Sequence, residues 1–208
     1  MKHKTALYEI IVFSLIFLFL IIPPFFTAPV SADSVLFSWN FPFQQAGLCI
    51  FAVVLFILSR GLNTKKGFFY PSMVVLAGLF LTALIIKLIT KSDYKTPLPS
   101  SAVQWLFCVL TFLFAATYEE IIYRFYFSDA LFRLINYTPL AGKKWVFWFC
   151  EAMGLLVFAF AHLYLGIAAV INAAVAHVLL RLLYKKSNLI WNCVLIHFIY
   201  NIISLILL

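Results

Sequence analysis

The stretch YEEIIYRFYF, Tyr118 to Phe127, follows the apolar run WLFCVLTFLFAAT and carries two adjacent carboxylates and a guanidinium. Ionisable groups at membrane depth cost at least about 2.5–3.5 kcal/mol each on insertion scales, so in apolar surroundings they usually mark function. On a helix Glu120 and Arg124 are four residues apart and face each other, so they can pair. Glu119 then points about 100° away from Glu120 and is the one to face a wet cavity as a base. Two further apolar segments carry chemistry of their own. His162 ends FAFAH, one turn after Phe158, and LIHFIYN places His197 and Asn201 four apart on one helix face.

Singly, each signal has a plain structural explanation. A histidine on an apolar face is more often a packed core residue, and hydrogen-bonded polar pairs commonly join membrane helices. Jointly, they supply a general base, a second proton-handling or water-orienting group, and two donors for an oxyanion. Those are the parts needed to hydrolyse an amide. The other ionisable residues in apolar context are Glu9, Glu151, His177 and Arg181. His177 reads as a packing residue, and Glu151 as a partner of Lys144 or a group that reaches water.

The chain that must position these groups has 208 residues, 65% hydrophobic and 11% charged. Soluble domains are about 45–50% apolar and about 25% charged, so most of this surface belongs in lipid. The formal charge of +8 lies between apolar runs, which points to membrane topology and not to nucleic acid. Cys49, Cys108, Cys150 and Cys193 are scattered singly in apolar stretches, form no C-x-x-C pair, and read as small buried residues.

With about 20 apolar residues per spanning helix, seven spans are expected, near 7–23, 44–59, 68–89, 103–126, 145–163, 166–184 and 188–207. The predicted fold is all-α, a polytopic membrane helix bundle. Three spans fall in 1–100, and four in 101–208 form the catalytic core carrying the motifs. PPFFTAPVSADS, RGLNTKKG, KSDYKTPLPSS, NYTPLAGKK and YKKSN read as connections. TAPVSADS loosely resembles a signal-peptidase site, although the preceding apolar run is long for a signal peptide, and an uncleaved first span is expected. Lys2, Lys4, Arg60, Lys65, Lys66, Arg133, Lys143, Lys144, Lys185 and Lys186 gather on one side, against Lys87, Lys91 and Lys95 on the other. That bias predicts an N-in, C-out orientation, in a membrane of bacterial plasma-membrane type. One conflict is visible: a fourth span ending near Glu119 would hold it away from His162, unless that helix is centred on Glu119 and runs to about Phe132.

EEIIYR, FAFAH and HFIYN match E-E-x-x-x-R, F-x-x-x-H and H-x-x-x-N, in that order. These motifs resemble the CPBP family, which includes CAAX prenyl endopeptidases and bacteriocin-processing or immunity membrane proteins. The similarity covers roughly residues 100–207. It implies an intramembrane endopeptidase with Glu119 as catalytic glutamate and Glu120 and Arg124 completing its motif. His162 would help activate water, and His197 and Asn201 would stabilise the oxyanion. The substrate would be a membrane-associated or lipid-modified peptide. Zinc ligation by these residues is the other mechanism described for the family; Asn201, a poor zinc ligand and a good oxyanion donor, favours the metal-free one. A non-enzymatic scaffold or immunity protein using the same cavity is the alternative function. Two departures from the pattern stand out. Phe125 follows Arg124 where relatives often have glycine, and His177 occupies a position where a small residue is expected.

Overall fold

In the computed structural model, residues 2–26, 39–59, 72–90 and 97–207 are described, and every regular element among them is helical. Helix α1 spans Lys2–Ile16 and runs on through a π-helical turn, Phe17–Ile21, to a 3₁₀ turn at Pro23–Phe26. Helices α2 (Phe43–Ser59) and α3 (Ser72–Thr90) follow. Helix α4 (Ala102–Glu119) continues through a π-helical stretch, Glu120–Phe127, into α5 (Ser128–Ile135). Then come α6 (Lys144–Phe160), a 3₁₀ turn at Leu163–Leu165, α7 (Ile167–Ser187) and α8 (Ile190–Leu207). The segments TAPVSADS and RGLNTKKG, and the first part of KSDYKTPLPSS, lie outside the described residues, as do Arg60, Lys65, Lys66, Lys91 and Lys95.

Six of these helical stretches are long and apolar enough to cross a membrane, and Phe43–Ser59 is a shorter apolar helix. The expected helix bundle is therefore present, with α2, at 17 residues, near the lower limit of about 17 for a span. Its lipid-compatible surface is large. On α3 alone Met73, Val74, Leu81, Leu88 and Ile89 are exposed, an apolar face that water would disfavour and hydrocarbon accepts. Six helices of this length and apolarity, with such faces, mark the chain as a multi-pass integral membrane protein.

The fourth span differs most from the sequence expectation. It was expected to end near residue 126 and instead runs from Ala102 to Ile135, 34 residues. Ser128, Asp129 and Arg133 interrupt the apolar run and hide the continuation, yet the backbone stays helical. Glu119 is thereby preceded by 17 residues of helix and followed by 16 (119 − 102 and 135 − 119), close to its midpoint. The helix begins at Ser101, whose side chain accepts from the Gln104 N–H, while Gln104 Oε1 accepts from the Ser100 N–H at 2.8 Å. This is a reciprocal cap at the orphan N–H groups of the first turn.

The chain forms two compact units, interleaved in sequence: Met1–Val30 with Tyr123–His177, and Ser31–Ile122 with Val178–Leu208. In the first, Phe127 stacks on Phe13 and Phe17 of the α1 stretch at 5.5 and 6.5 Å between ring centroids. Arg133 of α5 pairs with Glu9 of α1 at 3.4 Å, which accounts for the carboxylate in the first helix. Helices α5 and α6 approach closely at Gly154, where a Cβ would meet the Ser128 hydroxyl and lie 3.7 Å from His177 Cε1. The link NYTPLAGKK is a compact turn as expected, with Asn136 Oδ1 accepting from the Gly142 N–H at 3.3 Å and Gly142 at φ +77°.

In the second unit α4 packs on α2 and α8, and α3 on α8. Phe56 meets Trp191 edge-on at 5.8 Å and Phe80 meets Tyr200 at 5.4 Å. Trp39 donates to the Pro97 carbonyl at 3.0 Å and packs edge-on to Phe112. Asn188, at φ +51°, reverses the chain between α7 and α8, a left-handed conformation that asparagine tolerates. Cys108, Cys150 and Cys193 are buried, Cys49 is partly so, and all four are free thiols, matching their reading as packing residues.

Candidate active site

The second unit assembles Glu119, Glu120 and His197. The long helix brings the two glutamates, one at the end of α4 and the other opening the π-helical stretch, and α8 brings the histidine. The Glu120 N–H is shared between the Ala116 and Thr117 carbonyls, a three-centre bond common where an α-helix ends, and the π-helical stretch follows. Single π turns inside α-helices are frequent at functional sites. His197 Nδ1 lies 2.6 Å from Glu120 Oε1, and its Nε2 lies 3.9 Å from Glu119 Oε2. One imidazole thus lies between two carboxylates, bonded to Glu120, 77 positions away in sequence, and facing Glu119.

Their environments differ in a way that separates their roles. The Glu120 side chain is fully buried (0%), while those of Glu119 and His197 retain 23% and 12% exposure. The 2.6 Å contact joins His197 Nδ1 to the Glu120 carboxyl group in one short hydrogen bond. The 3.9 Å gap from Nε2 to Glu119 exceeds direct hydrogen-bond length. The Glu120 carboxylate thus holds the ring in place, and Glu119 is the more exposed of the two carboxylates. Asn201 lies one turn beyond His197 on α8, partly buried.

Arg124 and His162 belong to the first unit, where both lie against Phe158. The Arg124 guanidinium carbon is 4.0 Å from the Phe158 ring centroid, and the residue is fully buried. The His162 ring is 4.8 Å from the same centroid, and its Nδ1 is 2.9 Å from the Phe158 carbonyl oxygen. His177, 2% exposed, packs on Phe158 at 5.5 Å, as expected of a packing residue. In the sequence Phe158 stands one turn before His162, as the first position of F-x-x-x-H. Its spacing from His162 was visible, whereas its contact with Arg124 depends on tertiary packing. Arg181 in the second unit is 5% exposed and lies 5.7 Å from the Tyr184 ring centroid.

Zinc chemistry would need three or four convergent donors. Among the described residues no group of three or more His, Cys, Asp and Glu side chains is placed to hold a metal ion.

Residues 101–203 match the family model described as "Type II CAAX prenyl endopeptidase Rce1-like", which contains all three motifs. No curated protein and no solved structure matches the chain.

Proposed function

Starting from a chain that belongs, through residues 101–203, to the Rce1-like family of type II CAAX prenyl endopeptidases, we propose that it is an intramembrane endopeptidase using Glu119 as general base. The observation that carries this reading is the His197 imidazole lying between a fully buried Glu120 and a partly exposed Glu119.

Glu119 takes a proton from water, and the resulting hydroxide attacks the peptide carbonyl carbon. His197 and Asn201 donate to the tetrahedral oxyanion, and Glu119 returns its proton to the departing amine as the C–N bond breaks. With Nδ1 committed to Glu120, His197 can donate from Nε2 only as an imidazolium. The Glu120 carboxylate supplies the compensating charge, which makes it a functional partner of the ring and not merely a packing group. Such preorganised donors are worth about 2.7–4 kcal/mol each in acyl-transfer enzymes. Arg124 completes the glutamate motif, and the family pattern assigns His162 to assist Glu119 in drawing the proton from water. No step requires a metal.

Residues 101–208 form the catalytic core and residues 1–100 supply the three N-terminal spans, in a membrane of bacterial plasma-membrane type. Helices with lipid-compatible faces favour a substrate that arrives through the bilayer: a membrane-associated peptide, or one with a lipid-modified tail such as a prenylated CAAX sequence.

The test is to express wild type and Glu119→Ala at equal membrane levels in a deletion host and to compare new peptide termini across the membrane proteome. Termini are expected with wild type alone, since removing a general base lowers rates by about 10²–10⁴-fold. Identical termini, with any cellular phenotype still rescued by Glu119→Ala, would overturn the reading in favour of a non-enzymatic scaffold or immunity protein.

A further inference from the structure

Phe158 packs against three chemistry-bearing residues of its unit, Arg124, His162 and His177. It is 2% exposed, so it reaches no substrate. One face of its ring receives the Arg124 guanidinium at 4.0 Å. Tyr123, the residue before Arg124, meets the ring edge-on at 5.3 Å. His162 and His177 pack at 4.8 and 5.5 Å. Its main chain acts too, because a carbonyl only accepts and the 2.9 Å contact therefore assigns the proton of His162 to Nδ1. In the neutral ring the lone pair then falls on Nε2.

We propose that Phe158 is a positioning residue for the endopeptidase: its ring seats the Arg124 guanidinium, and ring and carbonyl together hold His162 in the tautomer with its lone pair on Nε2. The inference rests on the proposed function for its catalytic consequence, but the positioning itself is a property of the resting protein. A guanidinium over an aromatic face, both desolvated, is a strong case of a cation–π contact, and no aliphatic side chain of similar volume replaces it. His162 turns about its own side-chain bonds, and the Phe158 ring fills the space into which it would swing. A ring that stays and a ring that is lost therefore have different consequences, even when the core remains filled.

The experiment compares Phe158→Met, which keeps apolar bulk without the ring, with Phe158→Tyr, which keeps the ring. Both are made in the full chain and reconstituted in nanodiscs. Phe158→Leu replaces the Met variant if that one does not yield folded protein. The first readout is the ¹⁵N spectrum of histidine-labelled protein, with the His162 signals identified by their loss in His162→Gln. Wild type and Phe158→Tyr are expected to show the single Nδ1-protonated form, and Phe158→Met a mixture of tautomers. A single unchanged tautomer in Phe158→Met overturns the proposal. The second readout is cleavage of a fluorogenic farnesylated CAAX-type peptide. Phe158→Met is expected to lower kcat about tenfold with KM changed less than about twofold, and Phe158→Tyr to stay near wild type. Equal losses in the Met and Tyr variants would mean that filled volume, and not the ring, matters, and would also overturn it. If wild type and Glu119→Ala are indistinguishable on the peptide, it is the endopeptidase reading that falls, and the spectra alone then decide the role of Phe158.

Discussion

Glu119 and Glu120 are neighbours in sequence and of one chemical type, yet the fold treats them differently. Glu120 is sealed and spends an oxygen on His197 at 2.6 Å, while Glu119 keeps partial exposure. Hydrogen bonds to charged groups contribute about 1.5–3 kcal/mol. His197→Ala is therefore expected to destabilise the protein by about that amount, measured by thermal unfolding in detergent. His197→Gln, which retains a donor, should recover part of the loss. Equal melting temperatures for all three proteins would show that the short contact contributes nothing to stability. The candidate residues were legible because ionisable groups in an apolar run are conspicuous. From the spacing of Glu120 and Arg124, Glu119 is the carboxylate expected to face a wet cavity. The attachment of His197 to Glu120 was not legible, because it joins residues 77 positions apart.

Helices are where hydrophobic length is a reliable guide and polar interruption is a poor one. The apolar runs matched helices closely for α3, α6, α7 and α8. For the fourth helix the apolar run stops near 126, because Ser128, Asp129 and Arg133 make its last two turns look like a loop. Only the need to bring Glu119 level with His162 points to a continuation to about Phe132. Their polarity is accommodated by packing: Ser128 fits against Gly154, and Arg133 meets Glu9. Close approach at a small residue is a standard means of joining helices in a bilayer, where hydrophobic burial supplies little drive. Gly154→Ala is accordingly expected to lower stability by about 1–3 kcal/mol through overpacking against the Ser128 hydroxyl. Ser128→Ala in the same chain should restore most of it, a non-additivity that a double-mutant cycle measures. Additive losses would mean that the two residues do not share the contact.

Across the whole molecule, the uneven distribution of Lys and Arg implies that the N-terminus and the links containing Lys143 and Lys185 share the cytoplasmic side. Alkaline phosphatase fused after residue 208 is expected to be active, and the same reporter placed between Thr138 and Gly142 inactive. The reverse pattern would invert the orientation. The division of the chain into two units could not be anticipated. Each unit combines separate stretches of chain, and α7 passes from one to the other at His177–Val178.

Membrane residence, an all-helical fold and the six candidate residues were all legible in the sequence, since each is written in local composition or spacing: runs as long as a bilayer is thick, and polar residues repeating at a helical interval. Pairing is another matter. That His197 joins Glu120 and that Phe158 sits beneath Arg124 both depend on contacts between residues far apart in the chain. No local pattern encodes these, because they arise only when helices pack and each polar group must find its partner out of water.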